Sequence, residues 1–167
     1  AVAGRADYPP AARELLGEAA AAAVLFTGHT KVDGRLSIQI RGERGLRTLC
    51  AECTAAGTVR GIVQLTEGQD APRDLRDLGR DALLAITIEN PGLDPREPQR
   101  YQSLVGLDAS RLAEAFEDYF RQSEQLPTRL LLAADGGRAG GLMLQKLPGD
   151  EGDDDGWNRV GALFDTL

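Results

Sequence analysis

The hydrophobic pattern opens with an anomaly. Residues 13 to 31, RELLGEAAAAAVLFTGHTK, carry no formally charged side chain from Ala19 to Thr30, whereas a surface helix repeats polar residues along one face. Pro9 and Pro10 suit a first helical turn, and the register predicts a helix running to about Thr30. Gly17 is its weak point, costing about 1 kcal/mol relative to Ala in a helix interior. Crossing a bilayer takes roughly 20 predominantly apolar residues, so the run is too short for a membrane span. Asp7, Glu14 and Glu18 stand where a secretory signal would be basic. The remaining reading is a helix buried inside the domain, its alanines letting neighbouring layers come close.

Downstream the period shortens. Asp33-Gly34 signals a turn, and RLSIQIRG alternates Leu36, Ile38 and Ile40 against Arg35, Ser37, Gln39 and Arg41, the pattern of a half-buried strand. LRTLCAECT and TVRGIVQL follow and extend it into an antiparallel meander. Residues 67 to 81 read as a loop or a short helix around Asp74 to Leu78, LLAITIE as a strand, and NPGLDPREPQ, with three prolines, as a connection. SRLAEAFEDYFRQSEQL returns to a helical period. Leu112, Phe116, Tyr119, Phe120 and Ser123 share one face, Asp108 or Ser110 is the candidate N-cap, and Pro127 marks the end. TRLLLAA and GLMLQKL flank a Gly-rich turn, Asp135 to Gly141, and predict a hairpin. The acidic GDEGDDDG reads as a solvated connection, because EF-hand spacing and a closing bidentate Glu are absent. WNRVGALFDTL begins another apolar-periodic segment and the chain stops inside it, which predicts a truncated chain.

Composition narrows the function classes. A chain of 167 residues fits one domain large enough to bury a continuous core without staples. The net charge of −7 offers no basic field for nucleic acid or anionic lipid. Two cysteines make no disulfide framework, which places the chain in the reducing cytoplasm. His29 is the only histidine, so any imidazole-dependent nucleophile would need it at the end of the buried helix. GGRAGG has neither the P-loop Lys-Ser/Thr nor the Rossmann spacing and reads as a turn. No catalytic, cofactor-binding or metal-ligating residue is assigned.

Cys50 and Cys53 have the spacing of a thiol oxidoreductase or of half a zinc site. Their context argues otherwise. In a strand, three residues separate the Cα atoms by about 10 Å and point the thiols to opposite faces, whereas a disulfide needs Cα atoms about 4.4 to 6.8 Å apart. A redox-active pair usually sits at a helix N-terminus, and a zinc site requires two further ligands. Structural thiols are the expectation, with an oxidoreductase using this pair as the enzymatic alternative.

The segments YPPAARELLGEAAAAAVLFTGHTKVDGRLSIQIRGERGLRTLCAECTAAGTVRGIVQL and RYQSLVGLDASRLAEAFEDYFRQSEQLPTRLLLAA resemble the N-terminal domain of the redox-regulated 33-kilodalton chaperonin family, bacterial heat-shock holdases. The most specific portion is Tyr101-Gln102 together with EDYFRQSEQLPT. The resemblance implies an α+β fold, a three-layer β/α/β arrangement whose central helix, residues 13 to 31, is buried between mainly antiparallel sheets. It implies residues 1–167 as a single client-binding and dimerising domain, truncated at both ends, that holds unfolding proteins without ATP. It also implies homodimers, no nucleic-acid or membrane partner, and acidic charge that keeps loaded complexes soluble. The family's zinc lies in a C-terminal domain with Cys-x-Cys and Cys-x-x-Cys pairs. Cys50 and Cys53 do not align with that switch, so no cofactor is expected in this chain. Relatives carry an initial strand before the segment resembling DYPPAARELL, whose loss would leave an unpaired sheet edge. The client-binding surface is not assigned to residues, since a face such as that of Phe116 and Tyr119 is ordinarily core. A module binding one folded partner is the third reading.

Overall fold

The computed structural model describes residues 7–30, 32–92, 94, 96–149 and 154–167. Helix α1 (Pro10–His29) leads to strands β1 (Arg35–Arg41), β2 (Leu46–Thr54) and β3 (Val59–Leu65), then a short 3-10 turn at Leu75–Leu78. Strands β4 (Leu83–Asn90) and β5 (Gln99–Gly106) precede α2 (Leu112–Tyr119), the hairpin β6 (Thr128–Ala134) and β7 (Ala139–Gln145), and α3 (Asp154–Phe164). All described pairings are antiparallel, in a five-stranded sheet of order β3-β2-β1-β4-β5 and the two-stranded β6-β7. Helix α1 packs on β1, β2 and β3 with one side and on β6 and β7 with the other. The arrangement is therefore β/α/β in three layers, as the resemblance implied.

The alternation in β1 decides which side faces the helix. Leu36, Ile38 and Ile40 are buried together with Leu49 and Ala51 of β2 and Leu84 and Ile86 of β4, beneath Leu16, Ala19, Ala23 and Phe26 of α1. Each fully buried leucine or isoleucine contributes about 1.5–3 kcal/mol. The uncharged register of α1 thus reflects burial on two opposite sides.

Glycine at position 17 has a purpose the sequence did not disclose. A Cβ there would lie 2.7 Å from the Cβ of Ala134 and 3.3 Å from that of Ala139. Gly141 is its counterpart, since a Cβ on it would lie 2.7 Å from Cδ1 of Leu25. Both Gly140 and Gly141 are in β7 rather than in the turn, which is confined to residues 135–138 and held by Asp135 Oδ1 accepting from the N–H groups of Gly137 and Arg138. The helical entry is also completed from afar. Pro9 at the N-cap has no capping side chain, and the Asp70 carboxylate accepts from the N–H groups of Ala11 and Ala12 at 3.2 and 3.0 Å.

Several sequence expectations need correction. Strand β5 was not signalled, because six of its eight residues are exposed and only Ser103 and Val105 are partly covered. The N-cap of α2 is Arg111, not Asp108 or Ser110: Glu114 turns back to accept from Arg111 N–H at 3.3 Å and from the Ser110 hydroxyl at 2.8 Å. The helix also does not run regularly to Leu126. It widens into a π-helical turn over Phe120–Glu124, which carries Ser123 out to solvent. Helix α3 begins at Asp154, so Asp154 and Asp155 of the acidic stretch form its first turn, where carboxylates are favoured. Residues 150–153 of that stretch lie outside the described residues.

Two substitutions test the central packing. Gly17→Ala adds a methyl of better helix propensity but must push the hairpin away, and overpacking of this kind costs about 1–3 kcal/mol against roughly 1 kcal/mol gained. Urea unfolding is expected to show a net loss of stability, and a gain would mean the layers are not in close contact. Asp70→Ala is expected to cost about 1 kcal/mol through the two unsatisfied helix N–H groups.

Candidate functional site

The outer face of the five-stranded sheet points away from α1, and no described helix covers it. Registers place Ile62, Cys50, Gln39, Ala85 and Leu104 in one row crossing all five strands. Leu104 is 65 % and Ile62 52 % exposed, and Leu83 lies one step along β4 from the row. Between β1, β4 and β5 this face dips into a depression of about 220 Å³ walled by Leu83, Ala85, Leu104, Gln39, Gln102 and Arg41. Apolar side chains left on an uncovered sheet face are the usual mark of an interaction surface.

The same face carries a ladder of alternating charge. Arg60 pairs with Glu52 at 2.7 Å, Glu52 with Arg35 at 3.7 Å, Arg35 with Glu89 at 2.5 Å and Glu89 with Arg100 at 3.8 Å, one residue from each strand. Exposed pairs contribute little individually. Cross-strand pairs of opposite charge nonetheless favour this register over a slipped one, because a slip would part each charge from its partner.

Cys50 and Cys53 lie where strand geometry predicted, on opposite faces of β2, with Cys53 buried in the core and Cys50 half-buried on the outer face. Both are free thiols. Burial pushes the Cys50 thiol above its ordinary value, outweighing the hydrogen bond with Gln39 that favours the thiolate. The pair fits neither a dithiol centre nor a zinc half-site, and among the described residues no cluster of three or more His, Cys, Asp or Glu side chains is arranged to hold a metal ion. No described helix is long and apolar enough to cross a membrane.

His29 ends α1 beside the aromatic cluster of the core. Its ring stands edge-on to Phe120 at 6.5 Å, and Phe26 meets Phe116 and Phe120 edge-on at 4.8 and 5.2 Å. A pocket of about 120 Å³ opens here, with Phe26, Tyr101, Tyr119 and Phe120 in its walls and Glu124 among its lining residues. The sequence reading placed Phe116 and Tyr119 in the core, and both are buried. It did not place Tyr101 beside Tyr119, because that depends on the unsignalled β5.

A second cleft, of about 180 Å³, lies between α1, the 3-10 turn and α2, with Glu14, Glu18, Arg73, Ser110 and Arg111 in its lining. Arg73 is ion-paired with Glu14. Burial, followed by the charge of Glu14, raises the Glu18 carboxyl above its ordinary value, against the opposing pull of Arg111 and Arg73.

The profile of the Hsp33 protein family matches residues 1–167. The chain belongs to the Hsp33 family. It is 46 % identical over 166 residues to the 33 kDa chaperonin of Ectopseudomonas mendocina, covering 96 % of this chain and 55 % of that protein. It is 42 % identical to the 33 kDa chaperonin of Pseudomonas fluorescens strain SBW25, covering 96 % and 54 %. The chain thus spans about half the length of these Hsp33 relatives. The crystal structure of the Hsp33 homologue of Thermotoga maritima superposes with a TM-score of 0.61 at 25 % identity, over 83 % of this chain and 49 % of that one. This Hsp33 likeness agrees with the α+β, three-layer architecture seen here.

The raised Glu18 gives a pH-dependent expectation. Its folded value exceeds the unfolded one, so ionised Glu18 destabilises the fold at neutral pH, and the penalty fades as pH falls through the folded value. Glu18→Gln is expected to raise the thermal midpoint at pH 7 and to lose that advantage below the ordinary value of 4.5. An equal midpoint for the two proteins across the range would contradict it.

Proposed function

We propose that this chain is the client-binding domain of an ATP-independent holdase, which captures unfolding proteins on the outer face of its five-stranded sheet and keeps them from aggregating. Membership of the Hsp33 family and the naming of its relatives as 33 kDa chaperonins support the chaperone class. The observation that carries the surface is the uncovered row with Ile62, Leu104 and neighbouring Leu83 exposed. Unfolding proteins expose apolar side chains, and burying them here removes that surface from water on both partners. The net charge of −7 opposes self-association of loaded complexes.

In this reading the full-length protein is redox-regulated through zinc-binding cysteines other than Cys50 and Cys53, works in the cytoplasm, and forms homodimers. The chain by itself holds clients whatever the redox state, because neither of its thiols makes a switch.

Light scattering of a thermally unfolding client, with this chain added first under reducing conditions and then after peroxide, tests the proposal. Suppressed aggregation is expected in both, with most of it lost in a folded Leu83→Ser/Leu104→Ser variant. No suppression by the folded chain would overturn the holdase reading, and saturable binding to one folded protein alone would favour a specific interaction module. Suppression only after peroxide would return attention to Cys50 and Cys53.

A further inference from the structure

The segment EDYFRQSEQLPT has no part in the sheet surface. It folds into an irregular feature instead. After Tyr119 the helix opens into the π-helical turn Phe120–Glu124, closed by Gln125 N–H donating to the carbonyl of Phe120. Gln125 itself is left-handed, with φ of 55°, the one described non-glycine residue with positive φ. π-Turns and non-glycine left-handed residues both cost conformational energy and concentrate at functional positions. Here they do one geometric thing: Phe120 turns inward as a pocket wall while Glu124 lines the same pocket.

We propose that this aromatic-walled pocket at the C-terminal end of α1 recognises a cationic side chain, arginine above all, carried by an extended segment of a client protein. The identity of the client rests on the holdase reading; the chemistry of the pocket does not. Tyr101 supplies the ring face open to a cation, which the ring quadrupole attracts, and the buried rings of Phe26, Tyr119 and Phe120 form the floor behind it. Tyr101 stays 54 % exposed, so the entrance is aromatic as well. Glu124 is the one carboxylate among the lining residues, which include the His29 imidazole but no lysine or arginine. An acidic side chain would be repelled by that charge, and an aliphatic one would gain nothing from it.

Size limits the occupant to one side chain. A dry cavity of about 150 Å³ holds a benzene molecule, so a pocket of about 120 Å³ open on one side admits a guanidinium and its stem but not a folded element. The flat apolar row and the pocket are reached from opposite faces of the sheet, Leu104 pointing to one and Tyr101 to the other. Together they would read two features of an unfolding protein, exposed apolar residues and the basic residues interspersed among them.

The test is an NMR titration of the uniformly labelled chain with capped Gly-Gly-Arg-Gly-Gly and, in parallel, with the same peptide carrying norleucine in place of arginine. Shift changes are expected at Tyr101, Tyr119, Phe120 and Glu124, with roughly tenfold preference for the arginine peptide. Glu124→Gln and Tyr101→Leu, both at exposed positions, are each expected to weaken arginine binding about threefold and to leave norleucine binding unchanged. Equal affinity for the two peptides, shifts confined to the outer sheet face, or no binding at all would overturn the proposal. Aggregation suppression is scored separately: a chain that suppresses aggregation yet ignores the arginine peptide retains the holdase reading without this site. A chain that binds the peptide at the pocket yet suppresses nothing retains the site and loses the holdase.

Discussion

The structure depends on one close approach, that of a helix to the two sheets on either side of it. Helix α1 can lie between layers because each point of nearest contact with the hairpin has glycine on one side, Gly17 of α1 against Ala134 and Ala139, and Gly141 of β7 against Leu25. Small residues cost apolar area per side chain but let layers reach interior packing density. Leu16 and Phe26 are buried away from the hairpin contacts, Phe26 against Phe116 of α2, while Leu25 reaches the hairpin where Gly141 makes room for it.

Once α1 occupies the middle layer, every other polar and apolar choice follows from which side of a sheet a residue occupies. The inner face of the five-stranded sheet belongs to α1, so its outer face is free to carry exposed leucine and isoleucine beside an ion-pair ladder. The strand edges are treated unequally. The Tyr8 hydroxyl accepts from Val63 N–H at 3.3 Å on β3, and the Glu117 carboxylate accepts from Leu130 N–H at 2.7 Å on β6. A side chain that satisfies an edge N–H removes one of the groups through which a second strand could pair. Burial raises the Glu117 carboxyl from its ordinary value, while the hydrogen bond from Leu130 opposes that rise.

The two candidate surfaces differ in physical character. The outer sheet face is broad and shallow, with Ile62, Leu83 and Leu104 exposed among polar neighbours, which suits contact with many unrelated sequences. The pocket behind β5 is narrow, lined by aromatic and aliphatic groups and shaped by an irregular turn, which suits one side chain at a time. Neither relies on the thiols, whose positions on opposite faces of β2 separate Cys50 from Cys53 by the thickness of the strand.

Local pattern determined a good deal of this protein. The uncharged run from Ala19 to Thr30 predicted a helix without a wet face, which holds under both sheets but not at Val24, 47 % exposed, or at Gly28 to Thr30; the alternation through Leu36, Ile38 and Ile40 required one buried strand face, and the two-residue period alone put Cys50 and Cys53 on opposite sides. Tertiary structure decided what has no local signature. Asp70 caps a helix from 59 residues away, and Gly17 looks like a helix defect until Ala134 is brought against it. Strand β5 has too little buried surface to display a period, and the π-turn after Tyr119 follows a helical pattern that the sequence shows as unbroken. Periodicity records which side of an element is buried, whereas caps, close approaches and pockets depend on what arrives from elsewhere in the chain.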